Sequence, residues 1–189
     1  ALRAPARVTA VALVGLPGSG KSAVGRRLAQ RLDVPFVDSD QVIEQRIGCS
    51  IREFFEREGE ARFRDLEAQV IAELGRSAAG VVATGGGAVL RPANRDSLRA
   101  HFHVIYLQSA PEDLYRRLRH DVKRPLLQVA DPLGRLRELH AVRDPLYRET
   151  AHRIVETGKP SVGALVQAIM ATLEGAGLHV APASPAAPG

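Results

Sequence analysis

Tryptophan is absent from this 189-residue chain, cysteine and methionine occur once each, and aromatic residues make up only 4%. One thiol, Cys49, excludes an intramolecular disulfide and any multi-cysteine metal cluster. So few aromatic rings, with no dense basic run beside them, argue against a nucleic-acid binder that stacks bases. No apolar run approaches the ~20 residues that a membrane-spanning helix needs, so an integral helical membrane protein is excluded. Residues 1–14 hold no separate charged, apolar and cleavage regions; export is unsupported and a reducing cytoplasm is the expected compartment. Lysine is scarce too: Lys21, Lys123 and Lys159 stand among 26 basic residues, and arginine supplies the rest. Arginine's planar fork suits carboxylates and phosphates.

Hydrophobic residues at 45% are enough for a core, and charged residues at 25% are usual for a soluble domain. The net charge of +5 is spread among 21 acidic residues, which reads as substrate handling plus solvated surface, with no nucleic-acid or membrane partner. No exposed heptad or long apolar face demands a second subunit, so a monomer is expected. The organisation expected is one domain over 8–175, with flexible termini at 1–7 and 176–189, the latter rich in Ala, Pro and Gly.

Short apolar runs read as strands over Thr9–Gly15, Pro35–Asp38, Gly80–Thr84, His103–Leu107 and Arg153–Glu156. Amphipathic stretches between them read as helices over Lys21–Leu32, Gln41–Ile47, Ile51–Glu58, Glu60–Leu74, Asn94–Ala100, Pro111–Leu118, Pro132–Leu146 and Ser161–Glu174. Ser50 is placed to cap the third of these, and Pro111 opens another at a first-turn position. Residues 119–132 are polar, basic and broken by proline, the composition of a mobile loop. Apolar strands alternating with helices predict an α/β fold: a parallel sheet covered on both faces, in three layers.

Gly15-Leu16-Pro17-Gly18-Ser19-Gly20-Lys21-Ser22 follows a strand and opens a helix, matching the phosphate-loop pattern G-x-x-x-x-G-K-[ST]. Its glycines let successive backbone N–H groups turn inward at a helix N-terminus, making an anion cradle. Lys21 can reach the outer phosphates of a nucleotide, and the Ser22 hydroxyl can ligate Mg²⁺. Asp38-Ser39-Asp40 ends the second strand, on the sheet edge that also carries the phosphate loop. Spacing of two on extended chain puts both carboxylates on one side, where one could serve a metal and the other an acceptor hydroxyl. Alternatively, Asp40 simply caps the following helix. Gly85-Gly86-Gly87 closes the third strand; three glycines in a compact core suit close approach of backbone to an anionic ligand, or else a flexible turn.

The arginines cannot be ranked by composition. Arg64 lies in Phe63-Arg64-Asp65-Leu66-Glu67, with Glu67 at i+3 placed to orient it. Arg117 ends a helix, Arg124 precedes Pro125-Leu126-Leu127, and Arg143 precedes Asp144-Pro145-Leu146-Tyr147. Six histidines show no metal-ligand spacing, Cys49 reads as a packing residue at the helix break, and Tyr106, Tyr115 and Met170 read as core or helix packing.

Taken together and in order, G-L-P-G-S-G-K-S, D-S-D, F-R-x-x-E, G-G-G, R-P-L-L and R-x-P-L-Y resemble the shikimate kinase family over residues 10–174. The resemblance implies a P-loop NTPase fold with a five-stranded parallel sheet, a helical substrate-binding segment at about 38–67 and a lid at about 119–132. It implies transfer of the ATP γ-phosphate to the 3-hydroxyl of shikimate. By the same resemblance, Asp40 would hold the shikimate hydroxyls and assist the attacking one. Arg64 and Arg143 would clamp the carboxylate with backbone N–H groups of Gly85, Gly86 and Gly87, and Phe55 and Phe63 would wall the ring. Gly18, Ser19, Gly20, Lys21, Ser22 and Ala23 would hold the phosphates, with Ala23 standing where many relatives carry threonine. Ser22 and Asp38 would organise Mg²⁺, Arg124 would close over the transferring phosphate, and Arg117 with the loop 157–162 would lie against adenine. Gluconate or adenylate kinase is the nearest alternative. An ATP-driven switch or a basic nucleic-acid binder is the alternative from another class, and neither explains paired carboxylates beside a phosphate loop.

Overall fold

The computed structural model describes residues 7–119, 129–158 and 161–182. A five-stranded sheet of order β3-β4-β2-β5-β6, parallel throughout, is built from β2 (Val11–Val14), β3 (Phe36–Asp38), β4 (Val81–Ala83), β5 (His103–Gln108) and β6 (Arg153–Glu156). Helices α1 (Lys21–Leu32), α2 (Ser39–Ile47), α3 (Ile51–Glu58), α4 (Glu60–Arg76), α5 (Pro92–His101), α6 (Pro111–Leu118), α7 (Pro132–Thr150) and α8 (Val162–Gly175) connect or close the strands.

The central strand shows why the sheet is covered on both sides. All four residues of β2 are fully buried, and they alternate between two cores. Ala12 and Val14 face a cluster that includes Ile71 of α4, Leu98 of α5 and Leu136 and Tyr147 of α7. Val11 and Leu13 face Val24 and Leu28 of α1 and Leu165, Val166 and Ile169 of α8. Period-two alternation with both sides apolar is what a parallel sheet between helical layers requires. A third, smaller core of Ile43, Phe63 and Val70, with Phe54 and Phe55 against it, joins α2, α3 and α4 beside the main body.

Four expectations need correction. The strand expected over Thr9–Gly15 is divided at Ala10, and its first part, β1 (Arg7–Thr9), leaves the main sheet. It pairs in parallel with β7 (Leu178–Val180), so the termini expected to be flexible are ordered at Arg7 and through residue 182. Val180 is 5% exposed in the core, and Ala181 bonds both Thr9 and Gly80 through its backbone, which anchors the strand. Helix α2 begins at Ser39 rather than Gln41, because Asp38 is its cap. Helix α7 continues past Pro145 to Thr150 instead of ending at Leu146. Proline there removes one backbone donor, whereas Tyr147 and Thr150 beyond it are fully buried.

Candidate active site

The carboxyl ends of β2, β3 and β4 meet at one edge of the sheet, where α/β folds place their ligands. Gly18 and Gly20 have φ of 82° and 93°, left-handed values that glycine adopts without strain and that curl the loop. A Cβ on Gly18 would also meet Leu118 at 2.7 Å. Lys21, buried at the start of α1, donates to the carbonyls of Gly15 at 2.7 Å and Leu16 at 2.9 Å, lying back along the loop. Ser19 is buried, with its Oγ lacking a hydrogen-bond partner among the described residues, whereas Ser22 and Ala23 are exposed on the first turn of α1.

Asp38 and Asp40 do not share one side of an extended chain, as their spacing suggested. Asp38 Oδ1 caps α2 by accepting the N–H groups of Asp40 at 3.0 Å and Gln41 at 3.4 Å, while Oδ2 accepts the Ser22 hydroxyl at 2.8 Å. Asp40, already in the helix, turns to Gly85 instead: a Cβ on Gly85 would meet its Oδ1 at 2.6 Å. That Oδ1 is buried and has no hydrogen-bond partner among the described residues. Burial pushes the Asp40 carboxyl up to about 6; the charges of Asp38 and Glu67 add to this, and Lys21 partly opposes it. Between them, Ser39 is fully buried and its Oγ accepts the Gly85 N–H at 3.2 Å, tying the glycine run to α2.

The triple glycine is where two arginines come close. A Cβ on Gly87 would stand 2.5 Å from the Arg64 Cζ, and one on Gly86 would stand 3.2 Å from an Arg143 nitrogen. Arg64 donates to Glu67 at 2.9 Å and to Glu60 at 3.4 Å, and its guanidinium lies 5.1 Å from the Phe63 ring centre and 5.9 Å from that of Phe55. Phe63 is buried in the small core, and Phe55 packs on it with ring centres 4.7 Å apart. Burial raises the pKa of Glu67, and the charge and hydrogen bond of Arg64 pull against that rise.

A cavity of about 260 Å³ joins the two halves of the site, lined by Gly18, Lys21 and Ser22 on one side and by Asp38, Asp40 and Gly85 on the other. Ser22 Oγ and Asp38 Oδ2 offer two hard oxygen donors there, and no cluster of three or more His, Cys, Asp or Glu able to hold a metal occurs among the described residues. So small a donor set fits Mg²⁺, which keeps most of its shell as water and phosphate oxygens. Arg117 donates to the Thr157 carbonyl and, at 3.4 Å, to that of Gly158, which joins α6 to the loop after β6. Arg124 and most of the expected lid lie outside the described residues. The roles of Ser39 and Tyr147 escaped sequence reasoning, because both act through long-range contacts to glycine backbone; Tyr147 donates its hydroxyl to the Gly86 carbonyl.

A glycine-loop cradle, a carboxylate across a shared cavity and a three-layer parallel sheet define a P-loop kinase of the α/β class. The model of the shikimate kinase family matches residues 17–174, and the chain belongs to that family. It is 60% identical over 177 residues to the shikimate kinase of Paracidovorax citrulli, covering 92% of this chain and 95% of that one. The shikimate kinase of Ralstonia nicotianae is 57% identical, with 94% and 93% covered. Among solved structures, the shikimate kinase of Acinetobacter baumannii in complex with shikimate superposes with a TM-score of 0.85 at 43% identity, covering 89% of this chain and 94% of that one.

Proposed function

We propose that this protein transfers the γ-phosphate of ATP to the 3-hydroxyl of shikimate, giving shikimate 3-phosphate and ADP. The observation that carries this reading is Asp40, whose buried and unpartnered Oδ1 shares one cavity with the phosphate loop while Arg64 and Arg143 lie against the neighbouring glycines. Asp40 accepts a hydrogen bond from the attacking hydroxyl and draws its proton; a carboxyl poised near 6 is ionised at neutral pH, yet basic enough to do so. Arg64 and Arg143 bind the substrate carboxylate with charge-assisted bonds, and Glu67 holds Arg64 in place. Lys21 and the N–H groups of Gly18–Ser22 hold the ATP phosphates.

Ser22 and Asp38 would hold Mg²⁺, which when bound neutralises phosphate charge. Arg124, from the segment 119–132, is assigned to the transferring phosphate, Arg117 and the segment 157–162 to adenine, and Phe55 and Phe63 to the ring-binding side. Residues 38–67 form the substrate-binding segment of one kinase domain spanning 8–175, which acts as a monomer in the cytoplasm with no nucleic-acid or membrane partner. No helix among the described residues is long and apolar enough to cross a membrane. The test is ADP release from MgATP with shikimate, quinate or AMP as acceptor. Stimulation by shikimate alone is expected; stimulation by AMP alone, or none by any acceptor, would overturn the reading.

A further inference from the structure

Helix α7 carries Arg143 through a stretch with a weakened backbone ladder. Pro145 has no N–H to give the carbonyl four residues earlier, so side chains must fix this turn. Three of them do. Asp144 accepts the Tyr106 hydroxyl of β5 at 2.7 Å and Arg148 Nε at 2.9 Å, with His140 Nε2 3.7 Å away. The fully buried rings of Tyr106 and Tyr147 pack with centres 4.9 Å apart. The Tyr147 hydroxyl then reaches across to donate to the Gly86 carbonyl.

That last bond has a directional consequence. The peptide after Gly86 is trans, so its carbonyl and the Gly87 N–H point to opposite sides. Holding one fixes the other. Within the loop, the N–H groups of Gly85, Ala88 and Leu90 are taken by Ser39 Oγ, the Gly85 carbonyl and the Gly87 carbonyl. Those of Gly86 and Gly87 have no acceptor among the described residues. Arg143 lies one turn before Tyr147 on the same helix and approaches Gly86, while Arg64 approaches Gly87. We propose that Tyr147 is a positioning residue for carboxylate recognition: its hydroxyl donates to the Gly86 carbonyl and so orients the Gly86–Gly87 peptide with the Gly87 N–H facing the anion, and the same hydroxyl oxygen accepts from Arg143, which holds that arginine over the loop. Burial raises the Tyr147 phenol well above its ordinary pKa, against the opposing charge and hydrogen bond of Arg143, so the hydroxyl remains a donor at any working pH.

The inference rests on the functional reading above, and one set of assays separates the two. Tyr147→Phe keeps the ring and removes only the hydroxyl, which both donates to Gly86 and accepts from Arg143. Its KM for shikimate is expected to rise about 3- to 10-fold, the effect of losing hydrogen bonds of modest net worth, with the KM for ATP within about 2-fold of the parent. Preference for shikimate over its uncharged methyl ester is expected to fall by the same factor, because only the carboxylate reads the loop. A Tyr147→Phe enzyme with unchanged shikimate KM, or one that loses shikimate and ester equally, overturns the inference and leaves the kinase reading standing. A parent enzyme indifferent to shikimate overturns both. Should Tyr147→Phe fail to fold, the Gly87 amide resonance of the parent decides: it is expected to move with shikimate and stay with the methyl ester, and equal movement with both overturns the proposal.

Discussion

Arg64 lies so close over Gly87 that a methyl group on the glycine would stand 2.5 Å from its Cζ. Gly87 has no left-handed φ, so alanine there strains nothing in the backbone; it only displaces the guanidinium. Gly87→Ala is therefore expected to raise the KM for shikimate about 10-fold or more and, because the nitrogen it displaces is the one that holds Glu67, to lower the melting temperature by less than Arg64→Ala does. Steady-state kinetics beside a thermal melt checks both halves.

Arg64 also neutralises Glu67, whose side chain is only 2% exposed. Arg64→Ala should raise the KM for shikimate about 10- to 100-fold and cost about 2–4 kcal/mol of stability, because the glutamate is left buried and unpaired. Adding Glu67→Gln is expected to return most of the stability and none of the substrate affinity. Urea titration and kinetics of the four members of this cycle would show that split; equal recovery of both properties would contradict the assigned role of Arg64.

Asp40 is the site's most perturbed carboxyl. Asp40→Asn should lower kcat by about 10²- to 10³-fold, the usual worth of a positioned base. Because the folded-state pKa is raised from 3.8 to about 6, the folded protein binds the proton more tightly than the unfolded chain between those values. Stability from this group therefore declines as pH rises through that window. The asparagine variant should accordingly be more stable than the parent at pH 7, by about 1–3 kcal/mol in metal- and ligand-free protein, with the gap closing at pH 4.

His103 works in the opposite sense. Its ring stacks on His152 with centres 5.3 Å apart, and His152 Nδ1 accepts the Val104 N–H at 2.9 Å. Burial, with positive charge from His152, Arg153 and Arg7, pulls His103 down from 6.5 to about 4. The unfolded chain binds this proton first as pH falls, so stability is lost between about 6.5 and 4, by about 1–2 kcal/mol after allowing for solvent screening of a partly exposed ring. His103→Gln should flatten that part of the stability–pH curve; an unchanged slope in matched melts at pH 7 and 5 would refute this account.

The phosphate loop was legible because its chemistry is local: glycines, lysine and serine at fixed offsets between a strand and a helix leave one reading. The Asp pair was half legible. Its residues were found, but which of D-S-D caps the helix cannot be read from spacing, and a shift of the helix start to Ser39 sends Asp38 to Ser22 and Asp40 to Gly85. Strand β7 was missed because Leu178–Val180 is too short to signal itself within an Ala/Pro/Gly-rich tail, and its partner β1 lies some 170 positions away. The bonds from Ser39 and Tyr147 to the glycine run have no periodicity at all; only the folded chain brings hydroxyl and carbonyl or amide together.

β1 and β7 run parallel, with Arg7 beside Leu178 and Thr9 beside Val180, and Ala181 bonds Gly80 just before β4, so this ladder sits at the end of the strands opposite the phosphate loop. The first and last described strands thus tie positions far apart in sequence to each other at the edge remote from the nucleotide cavity, and no residue of that ladder has to enter the site.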